Sequence, residues 1–318
     1  MATRLLTRLR PTPRPRSDQP IVTGDEPLLD QDLMTSLQRL ALSAPHVQRG
    51  TFAGEHRSRR RGAAPEFADF KSYSPGDDIR RVDWNLYARF DELFVRLSEI
   101  TTDLTVHLLV DASASMAAPA RDDKLGVARE LAMALAWMAL ATHDPVRTAR
   151  LGAALGPAVR RPADARRIAA QLCALAPEGA VALDDALAAH AARHREPATV
   201  FVLSDCMAEP AAIESGLRGL RARRSAVVLL HVLGAGELDP ARDFAHGVLA
   251  DVESGATHPI VLTPDVRSRY DALLADHLTA VEAAARRHDV PYARLVTGTP
   301  VSDFVTGPLA RLGLVRRR

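Results

Sequence analysis

One short string in the chain combines a carboxylate with two hydroxyls at alternate positions. The apolar run Leu-Thr-Val-His-Leu-Leu-Val at 104–110 is followed by Asp111, Ser113 and Ser115. Such a run predicts a buried strand, so the three polar side chains follow its carboxyl end. Magnesium prefers a tight octahedron of oxygen ligands and keeps several waters, so these groups could hold it with one position left open. The same residues could instead cap the helix that follows.

A second carboxylate follows another apolar run. Asp205 comes directly after residues 199–204, which read Thr-Val-Phe-Val-Leu-Ser. In open α/β sheets, ligands bind beyond the carboxyl ends of the strands, where the winding direction reverses. A buried unpaired carboxylate is costly, so a cation or a set of backbone donors should lie between Asp111 and Asp205 if both point inward. The alternative is again that each carboxylate caps its own helix.

The elements that must position these residues alternate regularly after residue 104. Apolar strands followed by Ala- and Leu-rich helices indicate an α/β fold with a doubly wound, mostly parallel sheet and helices on both faces. Strands are predicted over 104–110, 146–153, 198–204, 226–233 and 291–297, and helices over 123–142, 164–175, 183–194, 210–224 and 265–288. Residues 246–262 predict a small hairpin that turns at Ser254-Gly255.

Composition narrows the class of protein. Hydrophobic residues make up 47% of the 318 residues but aromatic residues only 4%, so the core must be built from Ala, Leu and Val. A net charge of +2, from 41 basic and 39 acidic residues, argues against a protein built to bind polyanions, and no nucleic-acid partner is expected. Two cysteines, Cys173 and Cys206, fit a reducing compartment and a cytoplasmic protein. The longest uncharged run, 131–142, is too short to cross a membrane.

The chain divides into four segments by pattern. Residues 1–27 predict a flexible basic tail, with a targeting peptide or a contact to an anionic surface as alternatives. Residues 28–103 predict an amino-terminal helix at 28–42 and a polar, turn-rich motif segment. Residues 104–300 form the predicted α/β domain, and residues 301–318 a carboxy-terminal tail.

Residues 104–300 resemble a von Willebrand factor A-like domain with its metal-ion-dependent adhesion site. Asp111, Ser113 and Ser115 match the first metal loop of that family and Asp205 the third. The resemblance implies Mg²⁺ or Mn²⁺, with Asp205 acting through water. In the second loop, at 179–187, Val181 stands where the family usually has a metal-binding threonine. Valine offers no oxygen, so the ion would be held more weakly, through an extra water, or not at all, unless an aspartate at 184 or 185 compensates.

The segment before this domain resembles the bacterial family called domain of unknown function 58, which joins such a segment to a von Willebrand factor A-like fold. The run that carries the resemblance contains Tyr73, Pro75, Gly76, Asp77, Asp78, Arg80, Asp83, Trp84 and Arg89. Many members also carry amino-terminal membrane helices, so this chain resembles the shorter soluble branch. The resemblance implies a MoxR-type AAA+ ATPase as partner, in chaperone-like assembly or maturation of a client protein.

The motif run has two interpretations. Pro75-Gly76 predicts a tight turn and Asp77-Asp78 a helix cap, while Arg80, Asp83 and Arg89 could form ion pairs around Trp84. That account makes the run structural. The other interpretation is a second recognition surface that shapes or extends the docking face for a partner.

The motifs present in the sequence distinguish three possible classes of function. Neither of its two lysines, Lys71 and Lys124, follows a glycine, so the chain has no phosphate-binding G-K-[ST] loop and any ATPase activity should come from a partner. The leading hypothesis is therefore a non-enzymatic adaptor. A metal-dependent hydrolase using Asp111 and Asp205 is the alternative, and nucleic-acid binding through Arg57–Arg61 is a third class.

Overall fold

The computed structural model describes residues 9–11, 28–29, 31–43, 70–74, 79, 82–96, 105–223, 225–240, 245–252 and 256–318. They belong to two compact units, one formed by Met1–Gln48 with Leu104–Arg318 and the other by Arg49–Asp103. The strands are β1 Leu9–Pro11, β2 Leu40–Leu42, β3 Phe70–Ser72, β4 Phe94–Arg96, β5 Thr105–Val110, β6 Val146–Arg150, β7 Ala198–Ser204, β8 Ala226–Leu233, β9 His246–Asp251, β10 Thr257–Val261, β11 Tyr292–Val296 and β12 Val315–Arg317. The helices are α1 Gln31–Gln38, α2 Trp84–Phe90, α3 Lys124–Ala141, α4 Ala165–Cys173, α5 Leu183–Arg193, α6 Pro210–Arg221, α7 Ala235–Leu238, α8 Pro264–Arg287 and α9 Val301–Phe304.

A five-stranded parallel sheet in the order β11-β8-β7-β5-β6 forms the centre of the first unit. Every residue of β7 and β8 is buried, as expected for apolar strands that helices cover on both faces. The winding direction reverses between β5 and β7, so the loops after these two strands diverge and leave a crevice. Val110 pairs with Leu203, and the Asp111 N–H donates to the Leu203 carbonyl at 2.8 Å. The register therefore brings Asp111 level with the end of β7.

The predicted α/β class, with a mostly parallel sheet, is confirmed. All five strands and five helices predicted after residue 104 are present, with ends that differ by no more than a few residues. Helix α3 is buried along most of its length, because its sequence is apolar on all sides and both the sheet and neighbouring helices cover it. Within the described part of the chain, no helix has the length and apolar character needed to cross a membrane.

The segment predicted as one helix over 28–42 contains a helix and a strand. Helix α1 ends at Gln38, and β2 pairs antiparallel with β12, with Leu42 opposite Val315. The indole N–H of Trp137 in α3 donates to the Met34 carbonyl at 3.1 Å and fixes α1 on the first unit. Helical spacing of Leu residues was the only signal at 28–42, and the pairing partner lies far away in the sequence.

Residues 301–318, predicted as a tail, pack into the core of the first unit. They form α9, a π-helical turn at Val305–Leu309 and β12. Phe304, Leu309 and Leu314 are each about 1% exposed or less. The segment is too short for helical periodicity to be recognised, although its apolar residues contact the same cluster as α3.

We expect Phe304→Ala to lower the free energy of unfolding by about 3–5 kcal/mol, because a buried aromatic ring is removed and a cavity remains. Leu312→Ala is the matched control, since Leu312 lies in the same segment with 42% of its surface exposed and should change stability by roughly 1 kcal/mol or less. Urea unfolding followed by circular dichroism measures both. Equal effects of the two substitutions would mean that the segment is not part of the cooperative core.

The predicted hairpin is present as β9 and β10, with Leu249 opposite His258. Its predicted turn, Ser254-Gly255, lies outside the described residues. Strand β1 pairs antiparallel with β9. Residues 9–11 of the predicted flexible tail are therefore part of a three-stranded sheet.

The described residues of the second unit form an antiparallel pair of strands and a helix. Strands β3 and β4 pair with Lys71 opposite Val95, and the Tyr73 N–H donates to the Leu93 carbonyl at 2.8 Å. Asp83 is the N-cap of α2, where its carboxylate accepts the Asn85 N–H at 2.9 Å and the Leu86 N–H at 3.3 Å. This short helix exposes three aromatic side chains, Trp84, Tyr87 and Phe90.

Candidate functional site

Two loops at the carboxyl edge of the parallel sheet bring the predicted ligands together. The loop after β5 carries Asp111, Ser113 and Ser115, and the end of β7 carries Ser204 and Asp205. All five side chains are buried and line one cavity of about 40 Å³, a space suited to an ion or a water molecule. Its remaining lining residues are Val181, Leu183, Met207 and Ala208.

Hydrogen bonds hold the first loop in a fixed conformation. The Asp111 carboxylate accepts the Ser113 N–H at 2.9 Å and the Ser204 hydroxyl at 2.6 Å, one on each oxygen. The Ser113 and Ser115 hydroxyls share a hydrogen bond of 2.9 Å. Asp111 therefore points into the cavity, and a cation there would find its carboxylate and two hydroxyls already oriented.

The electrostatics of the cavity are unfavourable for a second negative charge. Burial, and then the neighbouring charge of Asp205, raise the pKa of Asp111 in spite of its hydrogen bonds. Both residues lie at the carboxyl edge of the sheet, and the charge of Asp205 adds to the cost of ionising Asp111. Added positive charge in the cavity would lower that cost.

The second predicted loop contacts the first without supplying an oxygen ligand from its side chain at 181. The Ala114 N–H donates to the Gly179 carbonyl at 2.8 Å, and the Glu178 N–H donates to the Ala112 carbonyl at 2.9 Å. Val181 forms part of the cavity wall. The aspartates at 184 and 185 lie in the first turn of α5 and are not among the residues that line the cavity.

A buried lysine that the sequence analysis did not assign to the site pairs with the third-loop carboxylate. Lys124 is 0% exposed, and its ammonium donates to Asp205 Oδ2 at 2.9 Å and to Glu237 Oε1 at 2.5 Å. Burial alone would raise the pKa of Asp205, but the Lys124 ammonium outweighs it and the net pKa is lowered. The only signal in the sequence was rarity, because Lys124 is one of just two lysines in a chain rich in arginine.

Glu237 lies in α7, the short helix after β8, and extends the network to that segment. Its other oxygen accepts the Gly234 N–H at 2.7 Å, and Asp122 accepts the Gly236 N–H at 2.8 Å. Burial raises the pKa of Glu237 to about 7 even though Lys124 acts in the opposite direction. Side chains are excluded at Gly234, where a Cβ atom would lie 2.3 Å from Asp122 Oδ2. The absence of a side chain at Gly234 leaves room for the Asp122 and Glu237 carboxylates beside the backbone amides.

Four of the nine predicted motif residues before the domain lie within the described part of the chain, and all four belong to the second unit: Tyr73, Asp83, Trp84 and Arg89. Pro75, Gly76, Asp77, Asp78 and Arg80 lie outside it. Asp83 caps α2, which agrees with a structural role for that residue. Trp84 is 63% exposed and packs edge-on against Tyr87, with ring centroids 6.2 Å apart.

Histidines away from the cavity form a separate buried cluster. His107 of β5 and His190 of α5 approach at 3.3 Å between Nδ1 and Nε2, and the ring of His194 lies 4.7 Å from that of His190. Burial, followed by the charges of His190, His194 and Arg147, lowers the pKa of His107 to about 3. Burial, followed by the charges of His194, Arg193 and Arg147, lowers the pKa of His190 to about 4. Among the described residues, no group of three or more His, Cys, Asp or Glu is arranged to hold a metal ion. A cation at the cavity would therefore depend on hydroxyl ligands.

Comparisons with known proteins place the site inside a recognised family region. The family described as "Protein of unknown function DUF58" matches residues 69–280, a range that includes every residue of the cavity. Uncharacterized protein Rv1480 of Mycobacterium tuberculosis is 29% identical over 283 residues, which is 84% of this chain and 86% of that protein. Uncharacterized protein Mb1516 of Mycobacterium bovis matches to the same extent.

Two solved structures align at low similarity. The conserved hypothetical protein BatB from Bacteroides thetaiotaomicron aligns with a TM-score of 0.41 and 13% identity, over 66% of this chain and 98% of that chain. An aerotolerance-related membrane protein from Bacteroides fragilis aligns with a TM-score of 0.36 and 14% identity, over 65% of this chain and 99% of that chain.

Proposed function

The chain belongs to the protein family of unknown function DUF58, and on that premise we propose that it is a non-enzymatic interaction module. In this proposal its von Willebrand factor A-like domain presents a divalent cation to an acidic residue of a partner protein. The observation that carries the proposal is the convergence of Asp111, Ser113, Ser115 and Asp205 on one small buried cavity.

The charges around the cavity support a divalent cation. Two buried carboxylates, Asp205 and Glu237, contact the buried ammonium of Lys124, and a third, Asp111, lines the cavity together with Asp205. Buried charge without a partner is costly, so this excess of negative charge favours binding of a cation. Mg²⁺ or Mn²⁺ fits the oxygen donors, which are carboxylate and hydroxyl rather than imidazole or thiolate.

The roles follow from the hydrogen bonds. Asp111, Ser113 and Ser115 would hold the ion directly, and Asp205, whose carboxylate already accepts from Lys124, would act through water. When bound, the ion supplies an open coordination position that a partner's carboxylate can occupy. Val181 leaves one wall of the cavity apolar, so we expect weaker binding than in a site with a threonine at that position.

Calorimetric titration with Mg²⁺ and Mn²⁺ tests the ligand assignment. Wild type should give a saturable heat with about one ion per chain, while Asp111→Ala should bind at least roughly 100-fold more weakly because the charged ligand is lost. Ser302→Ala is the control, since Ser302 lies outside the cavity and its hydroxyl contacts Asp303. Absence of binding heat in wild type would leave a metal-free interaction module.

The proposed partner is a MoxR-type AAA+ ATPase that acts with this chain on an unidentified client protein. The family resemblance supports this partner, and so does the lack of a G-K-[ST] loop in the chain itself. The described part of the motif segment, with its exposed aromatic residues on α2, supports a docking face in the second unit. The free thiols of Cys173 and Cys206 support work in the reducing cytoplasm.

A pull-down of the candidate ATPase by tagged wild type, with Mg²⁺ or with EDTA, tests the role of the ion in docking. Capture that requires Mg²⁺ and is lost in Asp111→Ala supports docking through the ion. Capture that survives both changes would assign the partner to another surface.

The alternative function is a metal-dependent hydrolase. It predicts turnover of phosphoesters or peptides by the purified chain. No histidine lines the cavity to act as a general base, which counts against this alternative.

A further inference from the structure

Lys124 lies where three separate segments meet. It is the first residue of α3, the helix that follows β5 and the Asp111 loop, and its ammonium contacts Asp205 at the end of β7 and Glu237 in α7 after β8. These contacts span 81 and 113 positions in the sequence. One ammonium therefore connects the first and third cation-binding loops to a segment that lines no part of the cavity.

Each carboxylate around Lys124 has a further hydrogen-bond partner. Glu237 also accepts the Gly234 N–H at 2.7 Å, and Asp205 also accepts from the Ser115 hydroxyl. Ser115 in turn shares a hydrogen bond with Ser113. The position of Lys124 is thus transmitted through Asp205 to both hydroxyls that would contact the ion.

A residue with this charge and placement does what a metal ion does for a buried carboxylate. The Lys124 ammonium neutralises Asp205 and fixes the loop that carries Asp205. Unlike a metal ion, Lys124 is covalently part of the protein and cannot dissociate. Lysine is the only cationic side chain that contacts Asp205 among the hydrogen bonds and ion pairs of the described residues. The loops can then keep their conformation before a divalent ion arrives.

We propose that Lys124 is an internal counter-cation that holds the cation-binding loops in place without metal, so that the protein folds stably before any ion binds. This inference rests on the proposed divalent-cation site and adds how the loops of that site are stabilised when no ion is bound. If Lys124 is removed, Asp205 loses its permanent partner and the divalent ion becomes the main positive charge near it. The stability of the protein should then depend on metal more strongly than that of wild type.

Thermal unfolding of wild type, Lys124→Met and Lys124→Met/Glu237→Gln, each in EDTA and in excess MnCl₂, tests the inference. Methionine keeps the length and packing of the lysine stem but removes the charge. The double variant also removes the second unpaired carboxylate, so it stays measurable if the single variant fails to fold. In EDTA we expect Lys124→Met to unfold roughly 10 °C below wild type.

Support requires that MnCl₂ raises the midpoint of the lysine variants by at least about twice the rise in wild type. A lysine variant that matches wild type in EDTA would overturn the inference, and so would a lowered midpoint on which MnCl₂ has no greater effect than on wild type. Calorimetric titration of wild type separates the two ideas. No heat in wild type rejects the divalent site itself, whereas heat in wild type with metal-insensitive lysine variants rejects only the role of Lys124.

Discussion

Asp111→Asn is expected to be at least as stable as wild type in EDTA and to lose all stabilisation by Mg²⁺ or Mn²⁺. Burial and the nearby charge of Asp205 raise the pKa of Asp111, so its ionised form is a cost to the folded state when no cation is bound. Asparagine has nearly the same shape and can still accept the Ser113 N–H, which Asp111 accepts at 2.9 Å. The amide side chain therefore removes the negative charge and preserves the conformation of the loop.

When Mg²⁺ or Mn²⁺ is present, wild type should become more stable than Asp111→Asn. A ligand that binds only the folded state adds about 3 kcal/mol when its concentration is 100 times its dissociation constant. For a unit of this size, that gain corresponds to a rise in wild-type unfolding temperature of roughly 5–10 °C. Asp111→Asn should show no rise. Differential scanning fluorimetry across a MnCl₂ series measures the crossing of the two curves.

Asp276→Asn provides the matched control for this experiment. It makes the same chemical change at an exposed position of α8, outside the cavity. Its response to MnCl₂ should equal that of wild type. If Asp111→Asn also responds as wild type does, Asp111 is not a ligand and the divalent site must be abandoned.

The double substitution His107→Gln/His190→Gln is expected to make the protein less sensitive to acid. Burial, followed by the charges of neighbouring imidazoles and Arg147, lowers the pKa of His107 to about 3, and burial with the charges of His194, Arg193 and Arg147 lowers that of His190 to about 4. The unfolded state therefore binds more protons than the folded state below pH 6.5. Stability falls as the pH drops through this range.

The expected size of the effect follows from the two shifts. Between pH 7.5 and pH 5, each imidazole that stays neutral in the folded state costs about 2 kcal/mol, so the pair costs about 4 kcal/mol. Glu237 acts in the opposite direction, because its raised pKa of about 7 makes the folded state bind the extra proton. Its contribution is the same in wild type and variant, so the difference between them isolates the histidines.

Urea unfolding at a series of pH values measures this difference. The double variant should lose about 4 kcal/mol less than wild type between pH 7.5 and pH 5, and each single variant should lose about 2 kcal/mol less. Parallel curves for wild type and double variant would mean that the His107–His190 pair is already protonated or exposed near pH 5.

The sequence by itself determined the secondary structure of the α/β domain and the edge of the sheet at which Asp111 and Asp205 lie. Apolar runs fixed β5 and β7, because strands buried on both faces are continuous in hydrophobicity. Asp111 and Asp205 could be assigned to the same edge of the sheet, since parallel strands end on the same side. That inference needs only local pattern and the chirality of the α/β fold.

Only the tertiary structure decided which charges meet. Lys124 lies at the start of a predicted helix, and no motif in the sequence identified Glu237, yet the Lys124 ammonium forms buried ion pairs with both Glu237 and Asp205. The pairing of β2 with β12 was hidden in the same way. The physical reason is common to both cases: burial sets the energy of these contacts, and the partners that create the burial are far away along the chain.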